Sequence, residues 1–305
     1  MGEGVGSLQK IGLKGWDVVI AGGDAREVVL AEALRDLGSN VCLFGFAKAQ
    51  KNEDLQIPDC LPLKTDALIL PLSGVNMEGY IFAPYATERI HFERLMPLFR
   101  PGMLLLSGSM PKIWLPMLEK HGITLILTTE IDELALYNAV PTAEGAVEVA
   151  MRESAITLSG SKALVTGFGR CGLPLARLLA GMDAHVTVAA RKRDVLALAQ
   201  VLGFTTVTFD SLADVAADFD FLFNTVPALI LTADVLANVK KTAVLIDIAT
   251  SPGGSDFTAA QQLGLKNFLL PGLPGKVAPI TAGQILAKIY QNILIESRRK
   301  EGEKT

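Results

Sequence analysis

The stretch Lys162-Ala-Leu-Val-Thr-Gly-Phe-Gly-Arg-Cys-Gly172 decides how this chain is read. An apolar run, Lys162 to Thr166, leads straight into Gly167, Phe168, Gly169, Arg170, Cys171 and Gly172. A helical pattern follows, with Leu175, Leu178, Leu179 and Met182 at i, i+3, i+4 and i+7. The first glycine permits a tight turn, the second lets backbone approach a pyrophosphate, and the third lets helix and strand pack closely. The start of the helix adds free N–H groups and a partial positive charge. Strand, G-x-G-x-x-G and helix in this order are the context that a dinucleotide site requires, so Gly167 to Gly172 are expected to hold one.

The next strand sharpens the expectation. An acid at its end would accept hydrogen bonds from an adenosine ribose and repel a 2′-phosphate. Here the strand ends Ala189-Ala-Arg-Lys-Arg193, with no acid and three cations. Arg191 can offer a fork to a phosphate, and Lys192 or Arg193 a point charge, so NADP is expected over NAD. Asn224, Thr225, Val226 and Pro227 end the fourth strand of this half, where Asn and Thr could bond a ribose. Asp247 closes the fifth, followed by Ser251 and Gly253-Gly254; a structural turn is the competing reading for these.

Working outward, apolar runs alternate with helical patterns along the whole chain. In the first half Trp16 to Ala21, Asn40 to Phe44, Ala67 to Leu70, Met103 to Leu106 and Ile123 to Leu127 read as strands. In the second half the strands are Lys162 to Thr166, His185 to Ala189, Thr205 to Phe209, Phe221 to Phe223, Ala243 to Ile248 and Asn267 to Leu270. This rhythm predicts an α/β fold of two doubly wound parallel-sheet domains, the second a Rossmann dinucleotide-binding domain. Pro141 can occupy the first turn of a helix that bridges them. The expected domains are residues 1–145, completed by a C-terminal helix over 280–300, and residues 146–279. Pro271 to Gly275 reads as a loop, Ala282 to Ile295 as a helix, and the charged tail from Ser297 as a frayed end.

Composition agrees. Half of the 305 residues are hydrophobic, 20% are charged and 6% aromatic, which suits sheets buried on both faces. A net charge of −4 offers no general attraction to nucleic acid or anionic lipid. Cys42, Cys60 and Cys171 have neither zinc-site nor disulfide-framework spacing, so no metal is expected and a reducing, cytoplasmic setting is. No apolar run is long enough to span a membrane, and the N-terminus does not read as a signal peptide.

In the first half, Gly22-Gly-Asp-Ala-Arg26 also lies between a strand and a helix, without the full glycine spacing. Helix N–H groups and the Arg26 fork could clamp a carboxylate there. In the alternative, Asp24 caps the helix and Arg26 is merely solvated. Ser73-Gly74 and Ser107-Gly-Ser109 end later strands, and all three loops are expected to line one crevice.

Tyr137-Asn-Ala-Val-Pro-Thr-Ala-Glu144 resembles the linker of the formate and D-2-hydroxyacid dehydrogenase superfamily, which also has two doubly wound domains. That superfamily's acid-base His is missing: Pro271 to Pro279 contains none, and the only histidines are His91, His121 and His185. A wider resemblance spans nearly the whole chain. It is carried by Gly22 to Arg26, Tyr137-Asn138 with Pro141-Thr142 and Glu144-Gly145, and the glycine fingerprint. Further along come Asn224-Thr225 with Pro227, Pro252-Gly-Gly254 with Asp256-Phe257, and Gly272-Leu-Pro-Gly275 with Ala278-Pro279 and Thr281-Ala-Gly283. Together these look like the family of dipicolinate synthase A subunits, with Ser251 standing where an Arg would be expected.

The resemblance implies an NADP-linked dehydrogenase working beside a flavoprotein-like B subunit, in the mother cell of a spore-forming bacterium; a homo-oligomer is expected. The substrate implied is a dihydropyridine dicarboxylate that loses a hydride and a proton, so the site must chiefly hold a planar dianion in place. Arg26 and Lys276 are the candidate cations, and Asn138, Thr142, Ser107 and Ser109 the neutral donors. Glu130, Asp132, Glu133 and Glu144 are the candidate bases, against the reading of each as a cap or a solvated face, which isolated carboxylates usually are. A different class stays open: a protein that binds nucleotide but is catalytically inert.

Overall fold

A computed structural model describes residues 12–49, 55–58 and 60–302. The chain divides into two compact units, one made of the residues up to Leu134 together with those from Pro279, the other of Ala135–Ala278.

In the first unit β1 (Asp17–Ala21), β2 (Asn40–Phe44) and β3 (Ala67–Ile69) precede a short hairpin of β4 (Tyr80–Ile81) and β5 (Ile90–His91); β6 (Leu104–Ser107) and β7 (Thr124–Leu127) follow. The main sheet has the order β2-β1-β3-β6-β7, and all its pairings are parallel. Strand period two sends Val18 and Ile20 to one face, among Leu30 and Leu34 of the helix Ala25–Asp36. Val19 and Ala21 go to the other, among Phe92 and Leu95. Burial on both sides is why these strands read as unbroken apolar runs. The antiparallel hairpin has strands too short to leave a periodic signal.

The C-terminal helix Pro279–Gly302 belongs to this unit and packs Leu286, Ile289, Tyr290 and Leu294 into its core. Gly283 allows the approach to the helix Ala25–Asp36: a Cβ there would lie 2.6 Å from the Val29 Cβ. The tail expected to fray instead continues as helix through Gly302, and Arg298 donates to the Gly12 carbonyl at 2.6 Å.

The second unit has β8 (Lys162–Thr166), β9 (His185–Ala190), β10 (Thr205–Thr208), β11 (Phe221–Asn224), β12 (Val244–Asp247) and β13 (Lys266–Leu269), all parallel, in the order β10-β9-β8-β11-β12-β13. This is the dinucleotide-binding arrangement, with its reversal between β8 and β11. Two expectations are corrected. Pro141 lies inside a helix, Asp132–Glu153, that starts earlier because Asp132 and Glu133 favour its positive end. Pro271 to Gly275 is not all loop, since Leu273–Val277 is a short helix with Pro274 in its first turn. Among the described residues no helix is long and apolar enough to cross a membrane.

Candidate functional site

The switch point of the second sheet carries a cavity of about 390 Å³. Gly167, Phe168, Gly169, Arg191, Lys192 and Val226 line it. Gly167 adopts φ +88°, and a Cβ there would meet the Thr225 hydroxyl at 2.5 Å. A Cβ on Gly172 would lie 2.2 Å from the Gly167 carbonyl oxygen, so this glycine closes the turn. Gly169 is different: its Cβ would point into open space, where a pyrophosphate can approach. Cys171 is the N-cap of the helix Gly172–Gly181, and burial raises its thiol above the usual range. Arg170 stands exposed on the turn.

Ala190, at the end of β9, and Val195, Phe209, Ala228 and Ile230 complete the lining; the last four were missed in the sequence, since nothing distinguishes them there from core residues. They supply an apolar wall of the kind a planar base packs against. Arg193 opens the helix Arg193–Val201 and lines no part of the cavity. Pro227 is exposed between Val226 and Ala228.

The expectations of Asn224 as a ribose ligand and of Asp247 as a direct cofactor contact need correction, because both side chains are fully buried with their polar atoms in use. Asn224 Oδ1 accepts from the Thr166 hydroxyl at 2.6 Å and Val226 N–H at 3.2 Å, while its Nδ2 donates to the Val226 carbonyl. Asp247 accepts from Ala249 N–H, Gly254 N–H and the Ser255 hydroxyl. The Thr225 hydroxyl likewise donates to the Thr166 carbonyl.

In the first unit the loops after β3 and β6 do come together. Ser109 Oγ donates to the Ser73 carbonyl at 2.8 Å, and Ser107 Oγ, buried, donates to the Ser109 carbonyl at 2.7 Å. Both hydroxyls expected as substrate donors therefore already serve the loops themselves. The Gly22-Gly23 turn is roofed by the hairpin: Gly23 N–H donates to the Phe82 carbonyl at 2.7 Å. The helix start is filled as well, since Asp24 accepts from Arg26 N–H and Glu27 Oε2 accepts from Asp24 N–H, a capping box. Arg26 is neither solvated nor free. Its Nε and Nη2 reach the two Asp24 oxygens at 2.9 and 3.0 Å, and the residue is 8% exposed.

The linker candidates share the helix Asp132–Glu153, where the Thr142 hydroxyl donates to the Asn138 carbonyl at 2.7 Å and Glu144 is exposed. Lys276 is exposed on the helix Leu273–Val277, and Glu130, Asp132 and Glu133 are not buried either. Among the described residues no group of three or more His, Cys, Asp or Glu could hold a metal ion.

Comparison with known proteins places this geometry. Residues 17–129 match the family model for the N-terminal domain of the dipicolinate synthase A subunit, and residues 134–252 that for the NAD binding domain of D-isomer specific 2-hydroxyacid dehydrogenases. The dipicolinate synthase A subunit of Bacillus subtilis is 32% identical over 95% of this chain and 100% of its own length. The chain belongs to the family of dipicolinate synthase A subunits. The crystal structure of the Bacillus halodurans A subunit superposes with a TM-score of 0.85 at 35% identity, covering 92% of this chain and 98% of that one. A transhydrogenase from Sinorhizobium meliloti shares the fold alone, with a TM-score of 0.65 at 15% identity over 91% and 93% of the two chains.

Glu27 is the titratable group that the sequence reading passed over, although its spacing from Asp24 is a readable capping box. Burial pushes its carboxyl up from an ordinary 4.5 to about 7, against the pull of Arg26 and with the push of Asp24. A raised acid holds its proton more tightly in the folded state. Its stabilising contribution is therefore full below pH 4.5 and is lost as pH rises towards about 7. Over that window the wild type is expected to lose at most about 3 kcal/mol of stability. Glu27→Gln keeps the cap acceptor and should flatten the decline. Urea melts across the window check this; an unchanged slope in the variant would refute it.

For Arg26→Ala the expected result is a stability loss of about 1–3 kcal/mol, because Asp24 and the buried Glu27 lose their counter-ion. Dipicolinate affinity should stay near wild type. Arg26→Lys should recover only part of the stability, lacking the fork. Denaturation and dipicolinate calorimetry on both variants decide; a large affinity loss without destabilisation would restore Arg26 as a ligand residue.

Proposed function

We propose that this chain is the NADP-dependent dehydrogenase that completes pyridine-2,6-dicarboxylate, oxidising dihydrodipicolinate or a hydroxy-tetrahydrodipicolinate precursor during endospore formation. The observation that carries the reading is the full-length match to a dipicolinate synthase A subunit, joined to a switch-point cavity lined by Arg191 and Lys192. NADP, when bound, would supply the hydride acceptor. Gly167 and Gly172 shape the turn, Gly169 leaves open space, and the N-terminal N–H groups of the helix Gly172–Gly181 would hold the pyrophosphate. Arg191 and Lys192 would hold the 2′-phosphate. For the dihydro substrate, loss of one hydride and one proton yields the aromatic dicarboxylate, so the chain's task is chiefly to orient a dianion; Lys276 and Asn138 remain the proposed contacts, whereas the Thr142 hydroxyl already donates to the Asn138 carbonyl. The proposed partner is a flavoprotein-like B subunit, in the cytoplasm of the mother cell.

The test is direct. Purified chain, given freshly generated dihydrodipicolinate, should form dipicolinate and NADPH, and should do so faster with NADP than with NAD. If it binds NADP yet turns nothing over, alone or with the B subunit, it is instead an inert binding protein.

A further inference from the structure

The ends of β11 and β12 are in register, Asn224 opposite Asp247, and both side chains point their chemistry inward. Asn224 grips Val226 through both its N–H and its carbonyl, which fixes the loop after β11 by itself. Asp247 does the same for the loop after β12. Its Oδ1 accepts from Ala249 N–H at 3.0 Å, and its Oδ2 accepts from Gly254 N–H at 2.8 Å and from the Ser255 hydroxyl at 2.7 Å. The carboxylate thereby ties both ends of the turn Ala249–Gly254 to one point.

The turn is then fastened to its neighbour. The Gly254 carbonyl accepts from the N–H groups of Ile230 and Leu231 at 2.8 and 3.0 Å. A Cβ on Gly254 would lie 2.2 Å from the Val226 carbonyl oxygen and 2.4 Å from that of Ala228. Two backbone N–H groups and one hydroxyl thus surround a carboxylate buried at 0% exposure. Burying such a group is unfavourable unless every bond is made, so a turn that needed only stability could be closed more simply.

Strand order says which part of a dinucleotide the turn faces. The pyrophosphate turn follows β8 and the 2′-phosphate cations end β9, so the other half of the molecule extends over the ends of β11 and β12. We infer that Asp247, with Ser255, is a positioning residue that holds the turn Ala249–Gly254 against the nicotinamide half of the cofactor. The inference rests on the reading that this chain binds a nicotinamide dinucleotide.

The experiment compares whole and half ligands by calorimetry on the full chain: NADPH against 2′,5′-ADP, and NADH against ADP. In Asp247→Asn one backbone donor faces an amide NH2 in either orientation, so NADPH affinity should fall about tenfold or more while 2′,5′-ADP changes by less than about threefold. Ser255→Ala, the milder change, should shift NADPH in the same direction and again spare 2′,5′-ADP. Retained half-ligand binding also shows that the unit is folded. If Ser255→Ala and Asp247→Asn bind NADPH as wild type does, or lose both ligands in parallel, the positioning role is overturned. Wild-type protein that binds neither NADPH nor NADH overturns the cofactor reading itself, and the inference with it.

Discussion

Gly169→Val is expected to abolish cofactor binding while the melting temperature stays within about 2 °C of wild type. The two halves of this expectation have separate causes. A Cβ at Gly169 meets no protein atom within 4 Å, so the folded chain tolerates the added side chain. On the proposed reading, the space it enters is the approach to the pyrophosphate, where the bare backbone would come close. A loss beyond about a hundredfold, some 2.7 kcal/mol, is the expected minimum. Gly172→Val should behave in the opposite way, because its Cβ would collide with the Gly167 carbonyl oxygen at 2.2 Å. That variant should melt early. Thermal scans and NADPH titration of the pair separate a ligand glycine from a packing glycine, and an early-melting Gly169→Val would place it with the second kind.

The double variant Arg191→Ala/Lys192→Ala should bind NADP about a hundredfold more weakly and NAD almost as before. Each charge-assisted bond to a phosphate contributes roughly 1.5–3 kcal/mol, and both side chains are exposed, so salt screening keeps the sum near the lower end. The NADP loss should shrink as salt is raised, whereas apolar contacts to the adenine are indifferent to it. Parallel titrations with both cofactors at two ionic strengths make the check. Equal losses for NADP and NAD would show that these residues shape the cavity wall and read no phosphate.

The central strands of both sheets were legible in the sequence because they are buried on two sides, so Val18 to Ala21 and Ala163 to Val165 had to be apolar throughout. The hairpin that roofs Gly22 and Gly23 was not. Two residues per strand carry no period, and its key bond comes from a backbone carbonyl, that of Phe82, which has no residue identity. The glycine turn was readable since its spacing reflects local geometry. Val195, Phe209 and Ile230 were not, since a cavity wall and a core demand the same residue types. Asn224 and Asp247 stood at the expected strand ends, yet composition cannot say whether an amide or carboxylate turns outward to a ligand or inward to its own loop. Arg26 failed for a related reason. A fork that could hold a substrate carboxylate holds that of Asp24, two residues away.

The C-terminal helix gives the chain an uneven history during synthesis. Leu286, Ile289, Tyr290 and Leu294 form part of the core around β1, yet they leave the ribosome only after the whole of Ala135–Ala278. The half that is begun first is the last to be closed. Until then the side of the helix Ala25–Asp36 against which this helix packs, Val29 included, stands open. By the same order the second unit, Ala135–Ala278, is complete in the chain before the first can close.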